Sequence, residues 1–194
     1  MTGRPKIYDE QEVLEKARHV FWEKGYSATS TEEVLAAMGI GRGSFYLAFE
    51  GGKKELFEKT IKQFHRTSFE QFEKIVRESS EPIEMIREFF RNIARNNTHT
   101  HKLGCFIGNT IVEMSIIDSY LEQEAVLILK ELEQLFCATI RKAQASGQLK
   151  TRIDPEILGR HLITLWNGLN ITRRMYPDNA KLKPLIDMQL EILQ

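Results

Sequence analysis

Apolar residues recur at helical spacing along most of the chain, and this periodicity restricts the fold more than any other feature of the sequence. No stretch alternates apolar and polar residues as a half-buried strand does, and the 194 residues include only five prolines. Between residues 119 and 146, for example, Leu121, Ile128, Leu132 and Leu135 fall on one helical face. We therefore predict an all-α chain.

Capping residues and glycines mark where the predicted helices begin and end. Asp9 and Ser30 each stand three residues before a glutamate, as in a capping box, and Gly25 and Gly39 end the first two helices. The predicted helices cover about 9–24, 30–38, 42–49, 54–78, 82–97, 105–115, 119–146, 154–176 and 179–194. We predict a three-helix unit over residues 1–52 and a larger helical bundle over 53–194, joined through the long helix.

Composition narrows the class of protein. Cys105 and Cys137 are too few for a disulfide framework and fit a reducing compartment. The longest apolar run, AVLIL, is far shorter than the roughly 20 residues that span a bilayer, and the chain opens with the polar stretch MTGRPK. We expect a cytoplasmic protein. Because the formal net charge is zero, any positive surface for nucleic acid must be local.

Residues 39–49, GIGRGSFYLAF, place three glycines directly after a short predicted helix. Glycine inside a helix costs about 1 kcal/mol relative to alanine, so these glycines need a structural reason. Two short helices joined by a tight turn form a helix-turn-helix, and Gly39 occupies the turn, where a positive φ is expected. The residues predicted to lock the two helices together are Val34, Met38, Ile40, Phe45 and Phe49.

The opposite side of the second short helix is predicted to face DNA. A recognition helix enters the major groove with its N-terminus first, and glycine there lets the backbone approach the base edges. Arg42 can donate two hydrogen bonds to a guanine. The other predicted DNA contacts are Gly43, Ser44, Tyr46 and Leu47, with Ser30, Thr31, Lys53 and Lys54 near the phosphates and Arg4 and Lys6 on an N-terminal arm.

Other interpretations stay open on these residues alone. GIGRGS by itself is often a surface loop, and residues 1–66 carry eleven lysines and arginines against ten acidic residues. The alternative function is a helical small-molecule sensor or carrier without sequence-specific DNA binding. Since neither GxSxG nor HExxH occurs in the sequence, we do not expect an enzyme.

The segment FWEKGYSATSTEEVLAAMGIGRGSFYLAFEGGKKELFEKTI resembles the N-terminal domain of TetR-family transcriptional regulators. The resemblance covers about Arg4 to Ile61. It implies a homodimeric, ligand-responsive regulator, which we predict to be a repressor, bound to a palindromic operator and released by a small molecule. It implies that Arg42, Gly43 and Ser44 contact DNA bases. It also implies that Tyr46, Thr31 and either Lys53 or Lys54 contact DNA phosphates. Family members usually have one residue fewer before the Leu56-Phe57 pair, which leaves open which lysine contacts phosphate.

The last two predicted helices are apolar on more than one face. A helix that is apolar nearly all round is expected to be buried on both sides. One side then packs within the protomer, and the other packs against a second protomer. The predicted dimer interface comprises Leu158, Leu162, Leu165, Trp166, Leu169, Leu182, Leu185, Ile186, Leu190 and Leu193. A second stripe runs through Ile157, Thr164, Gly168, Ile171 and Met175.

An effector pocket is predicted among the helices between residues 60 and 175. Its candidate wall residues are Phe64, Phe69, Phe89, Phe90, Phe106, Asn109, Glu113, Met114, Phe136 and Trp166, each of which is also a candidate for plain core. Such a wall suits a hydrophobic or weakly cationic ligand, which would wedge the bundle and tilt the long helix.

Cys105 stands at a predicted helix start, where the dipole lowers a thiol pKa, so it is a candidate redox residue; the alternative is a small buried side chain. His99 and His101 lack further ligands, and we predict neither a metal nor a cofactor.

Overall fold

A computed structural model describes residues 8–95, 102–176 and 178–194, and in that part of the chain every regular element is a helix. The α-helices are α1 (Glu10–Lys24), α2 (Thr31–Met38), α3 (Arg42–Ala48), α4 (Gly52–Phe64), α5 (Glu70–Glu78), α6 (Pro82–Arg91), α7 (Phe106–Met114), α8 (Ser119–Ala145), α9 (Pro155–Met175) and α10 (Asn179–Leu190). A π-helical turn, His65–Phe69, joins α4 to α5, and 3-10 turns follow α6 and α10. The all-α prediction is confirmed. Arg4, Lys6, His99 and His101 lie outside the described residues.

The predicted caps explain where the first helices start. Asp9 accepts hydrogen bonds from the N–H groups of Gln11 and Glu12 at 2.7 and 3.2 Å. Ser30 and Glu33 form the complete capping box at the start of α2. Both predicted helix starts are therefore confirmed.

The start of α4 differs from the prediction. The helix begins at Gly52, where φ is +65°, rather than near Lys54. The N-cap residue, Gly51, has no side chain to cap the helix, and its own N–H donates to the Glu55 carboxylate at 2.8 Å.

Buried side chains of the described chain form two hydrophobic clusters. The N-terminal core joins α1 to α4 with α7 and the first half of α8, and the bundle core joins α5, α6, the second half of α8, α9 and α10. Trp166 packs against both clusters. The predicted division at residue 52 stays a prediction, and packing of the N-terminal core runs across it.

The inner face of α9 and α10 belongs to the protomer. Seven residues assigned to the dimer interface are at most 3% exposed within the bundle core: Leu158, Leu162, Leu169, Leu182, Ile186, Leu190 and Leu193. They cannot reach a second chain, because α6, α8 and the neighbouring helix already cover them. That part of the dimer prediction is wrong. Leu165, Trp166 and Leu185 are half-buried, and the second stripe of α9 faces outward, with Ile171 66% and Met175 68% exposed.

The crossing of α8 and α9 depends on a glycine. A Cβ on Gly159 would lie 2.2 Å from Cys137 Sγ, so a larger residue here would force the two helices apart. Burial and the nearby Glu156 carboxylate raise the pKa of Cys137 to about 11. The ligand-type atoms of Glu133, Cys137 and Glu156 lie within 4.8 Å of one another. Both carboxylates are already paired with arginines of the helices, which makes this set of atoms a poor ion site.

Among the described residues, no helix is both long enough and apolar enough to cross a bilayer.

Candidate nucleic-acid interface

The turn between α2 and α3 has the geometry that the glycine pattern predicts. Gly39 adopts φ +70° and ψ 27°, and its N–H donates to the Leu35 carbonyl at 3.0 Å. A Cβ at Gly39 would meet nothing within 4 Å, so the requirement for glycine comes from the backbone conformation and not from crowding. The predicted helix-turn-helix is confirmed.

Two phenylalanines fix the orientation of α3. Phe45 and Phe49 are 0% and 1% exposed, and their ring centres lie 5.3 Å apart. The side chains that α3 leaves in solvent are those predicted to face DNA, namely Arg42, Gly43, Ser44, Tyr46 and Leu47. Leu47 is 84% exposed, and a Cβ at Gly43 would meet nothing within 4 Å. The start of α3 is therefore open to close approach by another molecule.

Arg42 carries the positive charge of this face, and Glu32 of α2 pairs with it. Both side chains are 66% exposed. Exposed pairs of this kind contribute about 0.2–1 kcal/mol, so a guanine edge or a phosphate can displace the carboxylate. DNA binding through Arg42 must nevertheless break this contact.

Lys53 and Lys54 bind different partners within the chain. Lys53 Nζ donates to the carbonyl oxygens of Tyr26 and Thr29 at 2.9 and 2.8 Å. Lys54 pairs with Asp118 at 2.5 Å, and this hydrogen bond raises the pKa of Lys54 and lowers the pKa of Asp118. Both ammonium groups thus have partners within the chain, and the Lys54 side chain is 51% exposed. Which of the two lysines contacts phosphate stays a prediction.

The start of α2 also uses its polar side chains locally. The Ser30 hydroxyl donates to Glu33 at 2.9 Å and accepts from the Glu33 N–H at 3.2 Å. Hydrogen bonds from Lys24 and Ser30 lower the pKa of Glu33 to about 2. Ser30 is exposed and Thr31 is half-buried, and their phosphate contacts stay predictions.

Helix α7 reaches the loop between α1 and α2 through Glu113. Its carboxylate accepts the N–H groups of Tyr26 and Ser27, each at 2.8 Å. Burial alone would raise the pKa of Glu113, but these two hydrogen bonds and the charge of Lys53 lower it. Glu113 therefore stays ionised and connects the bundle to the helix-turn-helix unit.

An apolar cavity of about 240 Å³ lies where the N-terminal core and the bundle core meet. Its wall consists of Phe64, Ser68, Phe69, Phe72, Phe89, Cys105, Ile107, Ile128, Leu129, Leu132 and Trp166. The Phe89 ring stacks between Phe72 and Trp166, with ring centres 4.5 Å away on each side. Side chains of both cores thus line one space.

Four of the predicted pocket residues line this cavity: Phe64, Phe69, Phe89 and Trp166. Three others do not, because Phe90, Met114 and Phe136 are 0% exposed within the cores. Phe106, Asn109 and Glu113 instead line a separate polar cleft of about 320 Å³ beside the end of α1. The predicted residues are therefore divided between this cavity, the cleft and the two cores, and their contact with an effector stays a prediction.

Several wall residues, among them Ser68 and Phe72, were not among those predicted from the sequence. Phe64, Ser68 and Phe72 recur every four residues along the long helix, and that spacing was the available indication of a shared face. Helix α8 adds wall residues such as Leu129 and Leu132. Their place in the wall depends on how helices distant in sequence pack together, which no local sequence pattern indicates.

Cys105 does lie at the N-cap of α7, where its Sγ accepts the Gly108 N–H at 3.3 Å. Its environment outweighs the helix dipole, because burial raises the pKa of the thiol. The expectation of a lowered pKa at Cys105 is wrong, and the residue forms part of the cavity wall.

Two family models match the chain. The model described as bacterial regulatory proteins, tetR family, matches residues 13–60, and the model described as tetracyclin repressor-like, C-terminal domain, matches residues 82–188. The transcriptional repressor DhaR of Mycobacterium sp. (strain GP1) is 26% identical over 188 residues, which cover 94% of this chain and 91% of DhaR. The transcriptional repressor ComR of Escherichia coli (strain K12) is 27% identical over 194 residues, which cover 96% of this chain and 88% of ComR.

Solved structures share the fold. The TetR family regulator CifR, a cysteine mutant complexed with 26 bp double-strand operator DNA, gives a TM-score of 0.80 at 23% identity over 98% of this chain and 100% of that chain. Reduced NemR of E. coli gives 0.82 at 15% identity over 95% and 96%. The relatives are transcriptional regulators and not enzymes. Since the C-terminal model alone spans more than half of the sequence, the chain belongs to the tetR family of bacterial regulatory proteins.

Proposed function

We propose that this helix-turn-helix regulator is a repressor that binds a palindromic operator as a homodimer and is released by a small effector. The observation that carries the proposal is the exposed face of α3, from Arg42 to Leu47, held at a fixed angle by buried Phe45 and Phe49. Operator DNA in the CifR complex and the repressor names of DhaR and ComR support it. We place its action in the cytoplasm, where both free cysteines stay reduced.

Base recognition would begin at Arg42, whose guanidinium matches the two acceptors of a guanine in the major groove. Gly43 leaves the first turn of α3 without a side chain, and the exposed hydroxyls of Ser44 and Tyr46 would contact a base edge and a phosphate oxygen respectively. Leu47 offers an apolar contact to a thymine methyl group.

Dimerisation would use the outward face of α9. Its exposed or half-buried residues recur every three or four positions: Ile157, His161, Thr164, Gly168, Ile171 and Met175. A Cβ on Gly168 would meet nothing within 4 Å, which leaves room for a partner helix. A symmetric four-helix contact of α9 and α10 with their copies would bury this face.

Effector coupling would run from the cavity to the DNA-binding unit along α7. The helix starts beside Cys105 at the cavity wall and ends past Glu113 at the α1–α2 loop, about 12 Å away along its axis. A π-helical turn, a feature frequent at functional sites, lies where Phe64, Ser68 and Phe69 line the cavity. Separating the two cores would therefore change the orientation of α4 and the spacing of the two α3 helices from the roughly 34–36 Å of one DNA turn.

Selection from a random DNA pool tests the proposal. We expect the wild-type protein to enrich a two-fold symmetric sequence. In anisotropy titrations of that sequence, Arg42→Ala should lose about 1–3 kcal/mol and tolerate other bases at one position of each half-site. Arg77→Ala, at an exposed arginine of α5, is the matched control and should bind like wild type.

A second candidate is the helical sensor or carrier without DNA binding, which the pairing of Arg42 with Glu32 favours. It predicts no enriched sequence and no binding of random duplex at low salt. That outcome would reject the repressor.

A further inference from the structure

The wall of the apolar cavity offers a ligand almost no polar group. Among the described residues that form it, most are aromatic or aliphatic and none is acidic or basic. Besides the indole of Trp166, only Ser68 and Cys105 add a polar side-chain atom. The Cys105 Sγ already accepts the Gly108 N–H at 3.3 Å, and the Trp166 side chain also forms a hydrogen bond with it. A ligand in this cavity therefore gains apolar contacts and little else.

Two titratable side chains contact wall residues without lining the cavity, and each has a partner of its own. The Arg18 guanidinium lies 5.5 Å from the centre of the Phe64 ring and is paired within α1. His65 stacks on Phe69, and its Nε2 lies 2.6 Å from a carboxylate oxygen of Glu131. An ion that entered the cavity would lose its water without gaining a counter-ion, which is strongly unfavourable. The wall therefore favours an uncharged ligand.

The volume of the cavity limits the size of that ligand. An engineered cavity of about 150 Å³ with leucine, isoleucine and phenylalanine walls stays dry and binds benzene. A space of about 240 Å³ with a similar wall thus has room for one ring and a small substituent. Because Phe89 and Trp166 already stack on each other, a ligand lies against the wall and not between these two rings. Offset and edge-to-face contacts with the wall favour an aromatic ligand.

The cavity reaches the protein surface at the π-helical turn. Ser68, in the middle of this turn, is an exposed residue of the wall, whereas the adjacent Phe69 is buried. Further wall residues deeper in the cores, among them Ile107 and Leu132, are buried as well. The side of Ser68 is therefore where a small molecule can pass between solvent and the cavity.

We propose that the effector is a small uncharged aromatic molecule, which enters beside Ser68 and occupies the apolar cavity. Of the two ligand classes expected from the sequence, the wall favours the hydrophobic one, because no carboxylate lines it to receive a weakly cationic ligand. The wall side chains come from both hydrophobic cores, so the bound molecule would contact both. The inference rests on the proposed effector-responsive function and names the ligand class.

Calorimetric titration of the full chain with three probes of one carbon skeleton tests the charge preference. The probes are neutral toluene, anionic benzoate and cationic benzylamine. We expect toluene to bind at least about tenfold more tightly than either ion, because each ion must give up its water in a cavity without a counter-ion. Binding of benzoate or benzylamine as tight as that of toluene, or no binding of toluene up to its solubility limit, would overturn the proposal.

Two blocking variants locate the bound probe. Ser68→Phe places a ring at the exposed mouth of the cavity, and Leu132→Phe fills space from a buried part of its wall. Each should weaken toluene binding at least about tenfold, with the helical content unchanged by circular dichroism. Thr67→Phe, at the exposed neighbouring residue that does not line the cavity, is the matched control and should bind like wild type. If neither blocking variant weakens binding, or if Thr67→Phe weakens it as much, toluene binds elsewhere and the proposal fails.

Operator binding is measured separately, so the two proposals fail independently. If toluene binds in the cavity but leaves operator affinity unchanged, the ligand site stands and release by ligand fails. If the protein binds no DNA, the repressor fails, and the calorimetry still decides the ligand class of the cavity.

Discussion

Glu32 on α2 and Arg42 on α3 form an ion pair at the surface that would meet DNA. Breaking this pair would reduce the free energy gained when Arg42 binds a base. The arginine can reach a guanine only after it leaves the carboxylate. In the proposed DNA complex the carboxylate would then stand close to the phosphates, which repel its charge. Glu32, on α2, would thus weaken DNA binding by α3 without contacting a base.

Replacing Glu32 by Gln should tighten binding to random duplex DNA at low salt by up to about fivefold, since an exposed ion pair contributes at most about 1 kcal/mol. Fluorescence anisotropy with a labelled duplex measures the change. Glu70→Gln, at an exposed position of α5, is the control. If Glu32→Gln binds no better than this control, the pair does not oppose DNA binding.

The sequence located the exposed side of α3 because a buried Phe45 and Phe49 fix the direction of every neighbour on a short helix. It could not locate the partners of Lys54 or the role of Glu113. Those depend on contacts with Asp118 and with the Tyr26 N–H, 64 and 87 residues away in sequence, and such contacts leave no local pattern.

Helix α7 is the element that connects the apolar cavity to the helix-turn-helix unit, and Glu113 is its contact with that unit. The carboxylate must be ionised to accept both N–H groups well. Because its pKa is lowered in the folded chain, this contribution to the free energy of unfolding is present above the unfolded-state pKa of about 4.3 and is lost as pH falls through the folded-state value.

Glu113→Gln should lower the free energy of unfolding by about 1–2 kcal/mol at pH 7, because the amide keeps one acceptor where the carboxylate offers two. It should also remove part of the decline in stability on acidification below about pH 5. Urea unfolding at several pH values measures both. Glu191→Gln, exposed after α10, should leave the pH profile unchanged; parallel profiles for wild type and Glu113→Gln would contradict the ionised link.

The long helix illustrates what periodicity leaves out. A continuous helix over 54–78 was predicted, and the chain is helical across that range, but a π-helical turn interrupts it at His65–Phe69. The turn depends on packing, in which His65 stacks on Phe69 at 5.2 Å and pairs with Glu131 of α8. The apolar periodicity of one helix depends only on the residues of that helix. It therefore cannot predict a contact with a residue such as Glu131, which lies far away in the sequence.

At the scale of the whole molecule, the sequence of α9 does not determine which of its two apolar stripes faces the bundle core. Both of its stripes are apolar, and only the packing of α8 and α10 determines that the leucines lie inside and that Ile157, Ile171 and Met175 lie outside. The fold class, the helix order and the exposed side of α3 were predictable. The inner and outer faces of the bundle were not.

Ile171→Glu should convert the proposed dimer to a monomer while leaving the protomer folded, because the side chain is 66% exposed in the single chain and a charge at an apolar interface is costly. Sedimentation velocity gives the oligomeric state, and circular dichroism the helical content. Ile75→Glu, 54% exposed on α5, should remain dimeric. A dimeric Ile171→Glu would place the interface elsewhere.

The N-terminal core draws Phe106, Met114 and Leu121 from far along the chain to cover α1 to α4. A chimaera that grafts residues 1–52 onto another regulator would therefore lose the apolar side chains that cover these helices in this chain. It would also lose the Glu113 carboxylate, which accepts two N–H groups of the α1–α2 loop. Exchange of DNA specificity between relatives is better attempted by replacing the surface of α3 alone, with α7 and the start of α8 left as they are.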